Sequence, residues 1–191
     1  MDIREEKRVI RREALAARRS LTADERHDFS KRIQKQLFDQ DEYLTAKCVF
    51  LYAAMEEEVH TNAIISDLLG AGKMVCLPYV DEERNMVAVR LHSIVDLVEG
   101  KFGILTVGDG LREVVDPEKI SLVLVPGAAF TRMGDRIGMG GGFFDDYLPK
   151  ATHAHRIGLT YSCQLVDHIP MEENDCTVEK IITENEVIEC V

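Results

Sequence analysis

At 191 residues, 46% hydrophobic and 30% charged, with 13 glycines and 5 prolines, the chain has the composition of a folded globular protein, not a disordered one. No apolar run approaches the length of a membrane span and no charged-then-apolar leader opens it, which predicts a cytoplasmic protein of one domain over residues 1–191. A net charge of −11 disfavours general nucleic-acid binding, which needs a basic surface.

Residues 2–19 read as a basic helix, with Ile3, Ile10, Ala14 and Ala17 recurring near helical spacing. Thr22 followed by Glu25 has the form of a capping box, so a second helix is expected there, with Phe29, Ile33 and Leu37 on its apolar face. Cys48 to Tyr52 is a short run of buried-strand type. The polar turn Met55-Glu56-Glu57-Glu58 follows, and Thr61 can cap a helix whose core face is Ile64, Ile65, Leu68 and Leu69. Met74 to Pro78 is a second buried strand, and residues 86–92 alternate as an outer strand. Leu122 to Pro126 is a third buried strand, and the chain is expected to be helical from Asp145 to about Lys150. Arg156–Tyr161 and Val178–Thr183 complete the core. Apolar strands alternating with helices predict an α/β layer architecture, mainly parallel, with two helices added in front.

Charge and side-chain chemistry are unevenly spread. Residues 1–35 hold eleven basic residues against seven acidic ones, a local +4, while the remainder carries −15. Such a stretch is either a solvated helix face or a local anion site. Cys48, Cys76, Cys163, Cys176 and Cys190 are widely spaced with no C-x-x-C, which predicts buried free thiols. His153 and His155 can share a strand face, but no H-E-x-x-H occurs and a transition-metal site is not expected.

The segment from Pro126 to Leu148 carries the chemistry. A buried strand ends at Pro126-Gly127, and four glycines then fall in the five residues Gly138-Met139-Gly140-Gly141-Gly142, followed by Phe143-Phe144-Asp145. Glycines let backbone N–H groups approach phosphate oxygens, and ligands of open α/β sheets bind outside the carboxyl ends of strands. Arg132 and Arg136 can add charge-assisted contacts, and Asp145 is a natural ligand for a nucleotide's magnesium. The run is neither a Walker A sequence nor G-x-G-x-x-G, and a tight, mobile turn is the plain alternative.

Pro126-Gly127-x-x-Phe130-x-x-x-Gly134-x-Arg136-Ile137-Gly138-x-Gly140-x-Gly142, two aromatics and Asp145 resemble the signature of 5-formyltetrahydrofolate cyclo-ligases, also called methenyltetrahydrofolate synthetases. Lys7-x-x-x-Arg11, Glu58-Val59-x-Thr61, Gln164 and Asn174-Asp175 resemble further landmarks of that family in the same order, so the similarity spans about Lys7 to Thr183. The resemblance implies a NagB/RpiA/CoA-transferase-like fold and an ATP- and Mg2+-dependent ring closure of 5-formyltetrahydrofolate through a phosphorylated formyl group. It implies nucleotide contacts by Lys7, Arg11, Arg136, Ile137, Gly138, Met139, Gly140, Gly141, Gly142, Phe143 and Phe144. It implies folate contacts by Ala53, Met55, Glu58 and Met139 through Phe143, with Arg136 and Asp145 catalytic and Asp145 and Asp175 on magnesium.

From the residues alone, Asp175 can equally cap a loop, Glu56 to Glu58 can be an exposed acidic turn, and Met55 can be an ordinary core methionine. Three departures stand out: Phe143 and Phe144 where two tyrosines are frequent, Met139 where a basic or aromatic residue is frequent, and Thr106-Val107 where Glu-Pro is common. The expected partners are 5-formyltetrahydrofolate, polyglutamylated or not, and ATP, with no nucleic acid or membrane, the chain being a monomer or weak dimer. A non-catalytic nucleotide- or RNA-binding module is the main alternative, and a sugar-phosphate isomerase on a related fold is a third.

Overall fold

The computed structural model describes residues 2–100 and 103–190. Helices α1 (Ile3–Ser20), α2 (Ala23–Phe38) and the short α3 (Asp41–Thr45) precede strand β1 (Cys48–Phe50). Helix α4 (Asn62–Gly70) leads to β2 (Met74–Val80) and β3 (Met86–Leu91), then to β4 (Leu97–Glu99), β5 (Leu105–Val107), β6 (Val114–Val115) and β7 (Leu122–Val125). The small hairpin of β8 (Ala129–Phe130) and β9 (Arg136–Ile137) precedes α5 (Phe143–Tyr147), β10 (His155–Leu159), β11 (Lys180–Ile182) and β12 (Val187–Glu189).

Eight strands form one sheet in the order β12-β11-β10-β7-β1-β2-β3-β6. The five from β11 to β2 run parallel, while β12, β3 and β6 are antiparallel additions at the two sides. Both faces of the parallel part are covered, which is why its strands read as unbroken apolar runs. Alternate residues divide between the faces. Val49, Leu122, Leu124 and Ile157 pack against Ile33 and Leu37 of α2 and Ile64, Ile65 and Leu68 of α4. Phe50, Val123 and Val125 pack with Phe130, Tyr147 and Leu148 on the other face. The capping box at Thr22 and Glu25 forms as expected, fixing where α2 begins.

Several expectations need correction. Thr61 precedes α4, but its hydroxyl bonds Ala54 N–H and the Tyr52 carbonyl, tying down the loop after β1 instead of capping the helix. The strand at 86–91 is not outermost, since β6 pairs outside it. Helix α5 starts at Phe143, two residues before Asp145, and continues only as a 3-10 turn over Leu148–Lys150. In α1 the inward face holds only part of the apolar stripe, Ala14 and Ile10 packing on Ala129, Ile137 and Ile169, with cations beside them. Lys7, Ala14 and Arg18 are its buried residues, while Ile3 is exposed. The five cysteines are free thiols; Cys48 and Cys76 are buried with sulfurs 3.8 Å apart. No helix among the described residues is long and apolar enough to cross a membrane.

Candidate active site at the strand ends

The parallel strands deliver the loops after β1, β7 and β10 to one edge of the sheet. Tyr52, Glu58, Pro126, Gly127, Leu159 and Gln164 meet there around a narrow crevice, the position a ligand takes in open α/β sheets. Helix α1 packs against the turn Ser162–Gln164 and against β8, and brings a line of cations to this edge. Lys7, Arg11 and Arg18 follow one another at helical intervals, so they share a face.

Lys7 is buried and binds two carboxylates from the far end of the chain. Its ammonium lies 2.8 Å from Glu172 Oε2 and makes a shorter contact with Asp175 Oδ2. Burial acts most strongly, pulling the Lys7 pKa down, but the two carboxylates together hold it above its ordinary value. Asp175 also accepts from Glu172 N–H at 2.6 Å, so it both caps its loop and pairs with α1. Arg11 Nε donates to the Gly138 carbonyl at 2.8 Å, fastening the glycine-rich turn to the helix.

The turn itself requires its glycines. Gly140 and Gly142 have φ of 103° and 73°, in the left-handed region where a Cβ is strained. Met139 to Gly142 are exposed, and Gly142 opens α5. Because α5 has only five residues, its dipole contributes little, and the anion-binding capacity of this edge rests on backbone N–H groups and the nearby cations. Arg136, on β9, is buried and directs Nη2 to Asp145 Oδ1 at 2.5 Å and Nη1 to the Pro126 carbonyl at 3.3 Å. Asp145 Oδ1 also accepts from Cys176 N–H at 3.2 Å, which sets Asp145 beside the loop that carries Asp175.

Glu58 does not belong to an exposed acidic turn. It is buried, with Oε2 accepting from Met55 N–H at 2.9 Å and its carbonyl accepting from the Tyr161 hydroxyl at 3.0 Å. Burial raises its pKa above the usual carboxylate value, opposed by the Met55 N–H and the Arg18 charge and reinforced by Glu57. Met55 is half-buried and lines a separate cleft of about 390 Å³ between α2 and the start of α4, with Ala54, Ser30 and His60, whereas Ala53 is packed in the core.

The residues expected at the site divide into two groups. Lys7, Arg11, Glu58, Arg136 to Gly142, Asp145 and Asp175 gather along the strand-end edge. Phe144 turns away, stacking on Phe50 at 5.8 Å between centroids and 21° between planes; Phe143 is half-buried with Arg84 over its ring. Arg132 stands apart at the surface, paired with Glu186, and adds nothing to the turn. The Thr106 departure has a local account, since its hydroxyl donates to the Pro78 carbonyl at 3.0 Å.

The model of the 5-formyltetrahydrofolate cyclo-ligase family matches residues 3–184. The chain belongs to this family. Among its relatives, the 5-formyltetrahydrofolate cyclo-ligase of Mus musculus is 28% identical, covering 94% of each chain. That of Escherichia coli K12 is 28% identical over 90% of this chain and 97% of its own. The solution structure of Aquifex aeolicus 5,10-methenyltetrahydrofolate synthetase superposes with a TM-score of 0.86 at 30% identity, covering 96% of this chain and 92% of that one. The Mycoplasma pneumoniae synthetase shares the fold, with a TM-score of 0.76 at 22% identity over 96% of this chain and 99% of its own.

Two features of this cyclo-ligase family member were not singled out as site residues from sequence. Gln164, noted only as a landmark, is buried and donates to the Gly127 and Ala128 carbonyls at 3.1 and 2.8 Å, joining the ends of β10 and β7. Arg18, which no motif marked, is 3% exposed and lines the crevice with Glu58. A buried arginine amid apolar strand ends is the signal, and burial is not visible in a basic helix read alone.

The Arg136–Asp145 pair also changes what a substitution at Asp145 reports. Asp145→Asn strips a buried guanidinium of its counter-charge, and we expect a loss of roughly 2–3 kcal/mol, less than the figure for a fully buried pair because the Asp145 side chain keeps 23% exposure. Thermal unfolding measures this, and an unchanged Tm contradicts it. Glu58→Gln acts in the other direction. The wild-type carboxyl has a raised folded pKa, so its favourable contribution is present below the unfolded pKa and lost as pH rises through the folded one. The glutamine variant is therefore expected to unfold at a higher temperature than wild type at pH 8, with the gap closing as the pH falls below the carboxylate range. A gap that persists at acidic pH contradicts the assignment.

Proposed function

We propose that the chain closes 5-formyltetrahydrofolate to 5,10-methenyltetrahydrofolate with conversion of ATP to ADP and phosphate. The observation that carries this reading is the meeting of the glycine-rich turn, the α1 cations and the Asp175 loop at one edge, within a chain matched by the cyclo-ligase family model over residues 3–184. Ring closure of this kind needs a poor electrophile, the formyl carbon, to be activated. The formyl oxygen takes the γ-phosphoryl group as the bond to ADP breaks, giving an imidoyl phosphate. The second folate nitrogen then attacks that carbon and loses its proton, and the C–O bond to phosphate breaks. No protein nucleophile is required, so positioning and charge stabilisation are the whole task.

Lys7 and Arg11 on one helical face supply cations for the nucleotide phosphates. The backbone N–H groups of Gly138 to Gly142 supply neutral donors, and Arg136 a buried positive charge beside the transferring group. Glu58 accepts from the N–H edge of the pterin, and Met139 and Phe143 flank it. Asp145 on α5 and Asp175 on the loop that abuts it are hard-oxygen donors, which fits magnesium, an ion that takes one or two carboxylates and otherwise water and phosphate oxygens. When bound, the ion supplies charge neutralisation between the phosphates. These carboxylates are engaged by Lys7 and Arg136, so a nucleotide and its metal would have to compete with those pairs. The inward turn of Lys7, Arg11 and Arg18 disfavours an RNA-binding role for the basic helix.

The test mixes purified protein with 5-formyltetrahydrofolate, ATP and Mg2+ and follows the methenyl product by near-ultraviolet absorbance. Product that depends on ATP and rises with enzyme concentration is expected. Intact folded protein that yields none overturns the proposal.

A further inference from the structure

Arg18 lines the crevice beside Glu58 but has no part in the mechanism above. It sits on α1 beyond Lys7 and Arg11, is 3% exposed, and has a buried Nε atom without a hydrogen-bond partner among the described residues. Its nearest carboxylate, Glu57 Oε2, lies at 3.4 Å from Nη2, a long contact for an ion pair. Leaving a buried donor unpaired is costly, and such a group calls for a ligand or a functional account. Of the other polar side chains of the crevice, Gln164 and Tyr52 are engaged, and Glu58 is engaged in part, its carboxylate keeping further acceptor capacity. Gln164 donates to two carbonyls, the Tyr52 hydroxyl bonds the Val59 carbonyl at 3.2 Å, and Glu58 Oε2 accepts from Met55. The crevice has free volume of only about 10 Å³, close to the space one water needs. A single ligand oxygen fits there, and the body of a ring does not.

The crevice thus sets a carboxylate, an acceptor, beside a guanidinium with a free donor. The matching ligand edge carries N–H donors next to a carbonyl oxygen, which is the edge of a 2-amino-4-oxo pteridine. We propose that Arg18 is a specificity-determining residue of the folate site, donating Nε–H to the ring 4-oxo oxygen while Glu58 takes the neighbouring N–H groups. This rests on the folate reading given above. A ring with an amino group at position 4 turns a donor toward Arg18 and is disfavoured, as sites built around a hydrogen bond reject analogues that cannot make it.

The experiment measures calorimetric affinities of 5-formyltetrahydrofolate and of its 4-amino-4-deoxy analogue, for wild type, Arg18→Met and Arg18→Lys, without nucleotide. Wild type is expected to prefer the oxo ligand. Arg18→Met is expected to lose about 10–100-fold in affinity for that ligand, the worth of one hydrogen bond to a charged group, and to lose little for the amino analogue. The oxo-to-amino preference then narrows while the ATP KM stays near wild type, and Tm does not fall because an unpaired buried donor has been removed. Equal losses for both ligands, or an unchanged ratio, make Arg18 purely structural and overturn the proposal. If Arg18→Met does not fold, Arg18→Lys gives the same reading, because lysine cannot present Nε–H at that position and the ratio must still narrow. Wild type that binds neither ligand overturns the folate reading together with the role of Arg18. Wild type that binds with a ratio insensitive to Arg18 overturns only the latter.

Discussion

Two buried cations and the carboxylates that pair with them hold the candidate edge of this protein together. Lys7, near the start of the chain, is bound by Asp175 and Glu172, near its end, and Arg136 on β9 is bound by Asp145 on α5. The cations of both pairs are buried, and a buried cation is tolerated only with its counter-charge beside it. The pairs therefore fix α1 over the strand ends, set the glycine-rich turn beneath Arg11, and bring the loop at 172–176 against α5. In the proposed function, Lys7, Asp175, Arg136 and Asp145 are the residues that would meet a magnesium nucleotide. In the proposed reading, a nucleotide and its metal would have to compete with these ion pairs for the same side chains.

This arrangement accounts for the charge asymmetry of the sequence. The basic first 35 residues are a solvated face only in part. Lys7, Arg18, Arg19 and Arg26 dock on acidic loops at 56–57 and 172–175, so much of the local excess of positive charge is answered by the acidic remainder of the chain. Glu58 and Arg18 carry the same logic into the crevice, where burial raises the carboxyl pKa and the guanidinium opposes the rise. Burial of a carboxylate with a raised pKa and of a guanidinium with one unpaired N–H is unfavourable taken by itself.

The central strands were legible because burial on both faces leaves no polar alternation to misread, and the capping box at Thr22 fixed α2 by local chemistry alone. The edge pieces β4, β5, β6, β8, β9 and β12 were not, being two or three residues long, too short to show a periodic pattern of their own. At the site, the glycine turn, Lys7, Arg11, Glu58 and Asp175 could be read from ordered motifs. Arg132 was misplaced because proximity in sequence to the turn does not fix side-chain direction, and a two-residue β-hairpin sends it to Glu186. The resemblance implied a nucleotide contact for Phe144, whose ring stacks on Phe50 at the start of α5. Arg18 carried no motif, and only its burial distinguishes it from Arg19 beside it.

The exchange of protein ion pairs for nucleotide and metal contacts is most directly tested by thermal unfolding in Mg2+ alone, ATP alone and both together. A ligand that binds only the folded state raises Tm according to its affinity. Mg2+ alone at millimolar concentration is expected to leave Tm unchanged, because Lys7 and Arg136 occupy its carboxylates, while ATP with Mg2+ gives a rise larger than the two separate effects combined. A rise with Mg2+ alone that equals the rise with both would contradict the account.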